Sequence, residues 1–375
     1  WHGYLADVQR RLASKQYRLE ELSHAIDWLQ RHVPPGQVLP GALRLVLQSS
    51  RLALNNHQGH ADAALLCECL ELVSQLRDED PQQACEALLR VATATTNAFE
   101  FDALRAAVQE WLALPVAVPG LLLHGKLHST LGQIDAFMGQ PEAALLSFDR
   151  ALQAFARLSD PAQAQRESNQ TRSYRLIAQM DASRAADGAG TPALVQAVLA
   201  HWNDADPLAL SRKLAHSGQD RRFEQYLWLR TLTHLPTHFA DARQAYCALQ
   251  AQWQSGQDHP WPLIEAYRAW MLHDAGEPKA AAECMQWAIE NCSSADHGPT
   301  LKWIAEVLRT LGQALDMVPA DQAPSLAQRA ALQALLPNAH HGALTDFAAQ
   351  AALVAPMGRA LVLQHLAACL PYNFH

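Results

Sequence analysis

A chain of 375 residues is longer than the ~250–300 residues at which one compact core stops growing, so it is read as either two domains or a solenoid. Alanine, leucine and glutamine are abundant and β-branched residues sparse, which predicts an all-α fold. The formal net charge of -8 comes from 29 Lys and Arg against 37 Asp and Glu. The two signs are mixed along the chain, so the patterning excludes a basic nucleic-acid surface and a membrane-surface helix.

In chain order, apolar residues at helical spacing over residues 3–32 predict one or two helices, ended by Pro34, Pro35 and Gly36. Two amphipathic stretches, 39–55 and 61–76, flank the polar break Asn56-His57-Gln58-Gly59 and read as a helical hairpin. Asp80-Pro81 is a helix start, because Asp caps the first free N–H groups and proline suits the first helical position. That helix is expected to reach about Thr95 and to pair with one over 102–114. Helices over 121–138 and 141–158 follow, and Asp160-Pro161 starts another over 162–180. Residues 185–192 are loop-like, with Gly188 and Gly190, and mark a break. Beyond it, helices are expected over 193–202, from Pro207, and over 222–235. Further helices are read within 260–290 and over 301–317, 325–336, 344–354 and 359–370.

The most informative stretch is 131–158. Gly139-Gln140-Pro141 ends one helix and starts the next, since glycine tolerates a left-handed cap. Leu131 and Gly132 precede the turn, while Ala144, Phe148 and Ala151 follow at helical spacing as a small, large, small stripe. Gly276, Pro278, Ala281, Met285 and Ala288 restate the pattern at the same offsets. Together these residues resemble a tetratricopeptide repeat, in the longer form of roughly 40 residues found in MalT-like and Rap-like bacterial regulators.

The resemblance implies an α-α superhelix, a solenoid of stacked antiparallel hairpins whose first helices line a concave surface. The expected organisation is residues 1–36 as connector or capping helices, 37–186 as one set of hairpins, and 187–375 as a second set with an irregular start. The resemblance also implies a protein or peptide partner. In MalT-like regulators it implies effector sensing, so the alternative is a module that binds a small ligand and controls an attached domain. Phased by Gly132, Lys126, Ser129, Gln133 and Phe137 are expected to point into the groove, and phased by Tyr174, so are Asn169, Arg172 and Arg175. Trp270 and His273 either line the groove further along or, for the tryptophan, pack between hairpins.

Motifs for catalysis are missing. No GxSxG, kinase signature or phosphate loop is present, so binding and not chemistry is expected, with no cofactor. His124 and His128 stand four residues apart on one helix, the spacing at which two imidazoles reach one metal, but no Glu lies where a zinc protease needs it and no metal is expected. His340-His341 is read as a solvated pair, and Cys67 and Cys69 project too far apart to chelate together. Seven cysteines without a CxxC pair read as apolar residues in a reducing compartment. With no apolar run long enough to cross a bilayer, the expectation is a cytoplasmic protein, and the start at Trp1 suggests a piece of something longer.

Overall fold

The computed structural model describes residues 41–57, 60–95, 101–185, 191–203, 206–217, 221–250 and 261–293, with scattered positions in 24–32 and 302–318. These residues are helical with no strand, as the composition requires. In order, the helices are α1 (Gly41–His57), α2 (Ala63–Arg77), α3 (Pro81–Thr95), α4 (Asp102–Leu112), α5 (Leu121–Phe137), α6 (Pro141–Phe155), α7 (Pro161–Ala185), α8 (Thr191–His201), α9 (Pro207–Ala215), α10 (Arg222–His234), α11 (Ala240–Gln250), α12 (Pro262–Asp274) and α13 (Pro278–Cys292). The helices expected over 325–336, 344–354 and 359–370 lie outside the described residues. So do His340-His341, most of 1–36 and most of the break at 185–192.

The start and stop signals act as the sequence requires. Asp80 accepts a hydrogen bond from the Gln83 amide at 3.0 Å, and Asp206 accepts one from Leu208 at 3.1 Å. Asp160 accepts from Ala162 at 2.9 Å. Each side chain thus satisfies an amide left open in the first turn of α3, α9 or α7. Gly139 and Gly276 both adopt positive φ, 71° and 84°, in the turns between α5 and α6 and between α12 and α13. These two hairpins are the most extensively packed pairs of neighbours. Ala144, Phe148 and Ala151 are fully buried, as are Ala281, Met285 and Ala288. A Cβ added at Gly132 would lie 2.7 Å from the Phe148 ring, and one at Gly125 would lie 2.5 Å from the Phe155 ring. Two glycines therefore let α5 settle onto two phenylalanines of α6.

The helices also pack along a row: α1 on α3, α3 on α5, α5 on α7, α7 on α10 and α10 on α12. The first residues of the leading four, Gly41, Pro81, Leu121 and Pro161, are forty residues apart, and Arg222 and Pro262 are forty apart again. Only the step from Pro161 to Arg222 departs, at sixty-one residues. Three features take up the extra length. α7 runs to 25 residues, α8 packs back on α7, and α9 packs on α11. The repeat is therefore continuous in packing where it is lost in spacing.

Aromatic rings bridge the irregular step. Tyr174 of α7 lies 6.5 Å from Phe148 and 5.5 Å from Phe223. Tyr226 lies 5.2 Å from Trp261 and 5.7 Å from Tyr267. Arg230 of α10, only 5% exposed in its side chain, reaches back to Asp181 of α7 at 2.6 Å and donates to the Tyr226 hydroxyl at 2.9 Å.

Candidate functional site

Two seams fix how α7 is turned. Towards α5, the Ser129 and Thr171 hydroxyls meet at 3.1 Å, and Lys126 Nζ lies 3.0 Å from Glu167 Oε1. Towards α6, Tyr174 stacks with Phe148, and Arg175 Nε donates to Asp149 Oδ1 at 2.6 Å. What remains is an uncovered face along the first half of α7, carrying Gln165, Arg166, Asn169, Gln170 and Arg172.

On that face the Asn169 carbonyl oxygen accepts from Gln165 Nε2 at 2.6 Å and from Arg172 Nη1 at 3.3 Å. One amide oxygen thus steadies the Arg172 guanidinium. An arginine has five N–H donors, so most of them are left for a partner. Arg172 also acts on His201 at the end of α8. Burial first, and then this cation, push the His201 imidazole down to about 4, so the ring is neutral at pH 7.

The residues expected to line the groove divide. Asn169 and Arg172 share the open face. Lys126 is half-buried and paired with Glu167 across the α5–α7 seam, and Gln133 Nε2 lies 3.4 Å from the Ser129 carbonyl oxygen. Arg175 is turned away to Asp149, because its position on α7 falls over α6. Ser129 is inside the seam, and Phe137 is buried against Phe101 at 5.3 Å; neither faces an open groove. Of the two readings of Trp270, its 4% exposure fits packing between helices. His273 ends α12, its Nδ1 3.3 Å from Asp274 Oδ1, and Asp274 also binds Arg243 of α11. The early residues and the pair on α12 therefore do not form one surface. Arg166 and Gln170 were missed by the sequence reading, although Arg166, Asn169 and Arg172 stand three residues apart and so share a face.

Among the described residues, no group of three or more His, Cys, Asp or Glu is placed to hold a metal ion. The thiols of Cys69, Cys85 and Cys292 are pushed up to about 12 by burial, and that of Cys247 to about 11, which leaves them protonated and unreactive at pH 7. No helix among the described residues is long and apolar enough to cross a membrane. No family model, curated protein or solved structure matches the chain.

Proposed function

We propose that this chain is a non-enzymatic binding module of the tetratricopeptide-like kind, which takes a protein or peptide partner on the uncovered face of α7. The observation that carries the reading is that face itself. α7 is a row helix packed against α5, α6 and α10, yet its first half presents Arg166, Asn169, Gln170 and Arg172 to solvent. Lys126 and Arg175 are already neutralised by carboxylates, so the cationic character of the surface rests on Arg166 and Arg172. A guanidinium steadied by a neighbouring amide suits a carboxylate or backbone carbonyl of an extended chain. The forty-residue spacing of the row helices supports the tetratricopeptide-like assignment, since that is the length of the longer repeat. Buried, protonated thiols agree with a reducing compartment, and the cytoplasm is the compartment we assign.

The test is capture of a partner from host lysate, followed by titration with Arg166→Ala/Arg172→Ala protein. A charge-assisted hydrogen bond is worth roughly 1.5–3 kcal/mol, so each arginine should change the affinity about tenfold or more. The helical signal and the melting midpoint should stay nearly the same, because both side chains are exposed. Full affinity in the double variant would move the working surface elsewhere.

A further inference from the structure

The register of the row helices bears on what kind of partner the α7 face takes, an inference that rests on the reading just given. α1, α3, α5 and α7 start forty residues apart, so Leu45, Cys85, Gly125 and Gln165 occupy one position of the repeat, and Leu52, Ala92, Gly132 and Arg172 another. The helices keep this register in rotation as well. Asp135 on α5 and Arg175 on α7, forty apart, both reach the second helix of the preceding hairpin: Arg105 Nε of α4 donates to Asp135 at 2.8 Å, and Arg175 Nε to Asp149 of α6 at 2.6 Å. On α5 the two positions face the hairpin's own second helix, since a Cβ on Gly125 or Gly132 would run into the ring of Phe155 or Phe148 of α6. Leu45 and Leu52, Cys85 and Ala92, and Gly125 and Gly132 are all buried. Gln165 and Arg172, the fourth pair, are exposed.

The length of α8 explains the difference. It has 11 residues to the 25 of α7, so it lies along less than half of that helix. Because it follows α7 in the chain and packs back on it, that half is the C-terminal one, where Leu176, Ile177, Ala178 and Met180 are buried. Along the first half, no described helix takes the position on α7 that α6 takes on α5. The carboxylates nearest in sequence are engaged, Glu167 with Lys126 and Asp160 with the amides of Ala162 and Gln163. The charge on this half is therefore that of Arg166 and Arg172.

We propose that the partner enters as an acidic α-helix, packed on the first half of α7 as α6 packs on α5, with carboxylates seven residues apart. Phe148 and Phe155 are seven apart and meet Gly132 and Gly125. The same spacing brings one side chain of the incoming helix to Arg172 and the other to Gln165 and its neighbour Arg166. Where α5 has glycines that admit rings, α7 has a guanidinium and an amide, and a carboxylate accepts hydrogen bonds from both. An extended chain has no strand edge to pair with among the described residues.

The probe is a peptide of the α6 sequence, residues 141–155, carrying Phe148→Glu and Phe155→Glu and a side-chain staple that holds it helical. Titrated into the full chain, it should bind one per chain, about tenfold or more tighter than the stapled peptide with both rings kept. Ala151→Pro in the acidic peptide, without the staple, should weaken it by about tenfold or more, because proline breaks the helix. Arg172→Glu in the chain should weaken the acidic peptide by about tenfold or more, and the peptide with Phe148→Lys instead of Phe148→Glu should regain binding to that variant. Circular dichroism of the variant should match wild type. A proline peptide that binds as tightly as the stapled one, and still needs Arg172, would overturn the helical proposal while leaving the α7 face as the working surface. No binding of the stapled acidic peptide at millimolar concentration, or no effect of Arg172→Glu on it, would overturn the proposal, and the lysate capture then judges the face separately. A dimer of the chain that Arg172→Glu abolishes would also overturn it, since the occupant would be a second copy.

Discussion

The α5–α6 and α12–α13 hairpins share one turn, yet their first helices live in opposite surroundings. Counted back from the turn glycine, Gln133 and Trp270 are both six residues away, and His128 and Glu265 both eleven. In α5 half-buried positions are interspersed among the buried ones, whereas every residue from Pro262 to Leu272 in α12 is buried. α12 consequently holds a charge pair inside, with Arg268 Nη1 3.1 Å from Glu265 Oε1 and both side chains at 1% exposure or less. The turn and the small-residue stripe decide that a hairpin forms. What each row helix then faces is decided by neighbours far away in sequence, and α7 keeps a polar face open where α12 does not.

The strongest way to break this comparison is to remove one half of the pair in α12. Glu265→Ala should cost about 3–5 kcal/mol in thermal or denaturant unfolding, because it takes a buried carboxylate away from the buried Arg268 charge. Glu265→Leu/Arg268→Met, which removes both charges, should be close to neutral. A mild effect of the single change would mean that α12 is wetter than its burial indicates.

The same position in α5 gives a pH effect. Burial, helped by the charges of His124 and Arg150, pushes His128 down to about 4 from its ordinary value of 6.5. The folded state therefore disfavours the proton. This contribution is fully present above pH 6.5 and is lost as the pH falls towards 4, by up to roughly 3 kcal/mol. Chemical denaturation across that range should show the loss, and His128→Leu should remove part of it. A wild-type profile flat between pH 6.5 and 4 would contradict the burial.

A smaller effect compares the two contacts beneath the turns. Gly132 stands seven residues before Gly139 and meets Phe148, while Ala269 stands seven before Gly276 and its hairpin carries Met285 in place of the ring. Gly132→Ala should overpack against Phe148 by about 1–3 kcal/mol, set against a gain of up to about 1 kcal/mol in helix propensity. The net loss should be about 1 kcal/mol, and Phe148→Met in the same chain should restore most of it by copying the α12–α13 solution. Failure to restore would mean that the two hairpins pack differently despite their shared stripe. Smallest of all, Arg175→Ala should cost under about 1 kcal/mol, since its bond to Asp149 is partly exposed.

Much of the fold was legible because helix punctuation is local. Asp80-Pro81 and Pro141 start helices where the sequence places them, and Gly139 and Gly276 sit in the turns. α11 went unread because Pro236 looked like an end and the forty-residue spacing had been lost in the longer step before α10. Its own signal was present in Phe239, Ala242, Tyr246 and Cys247, all buried at helical spacing. The candidate surface was legible only in part. Phasing placed Asn169 and Arg172 together, but the partners of Lys126 and Arg175 come from α7 and α6, and spacing within one helix does not reveal them.

The account turns on α7 carrying the partner, and site-specific photocrosslinking tests that most directly. A photoreactive residue placed at Asn169, on the open face, is compared with one at Lys279, exposed on α13. In host lysate the probe at position 169 should yield a discrete crosslinked species that excess unlabelled protein competes away, while the probe at position 279 should yield none. Equal crosslinking at both positions, or none at 169, would contradict the assignment of the α7 face.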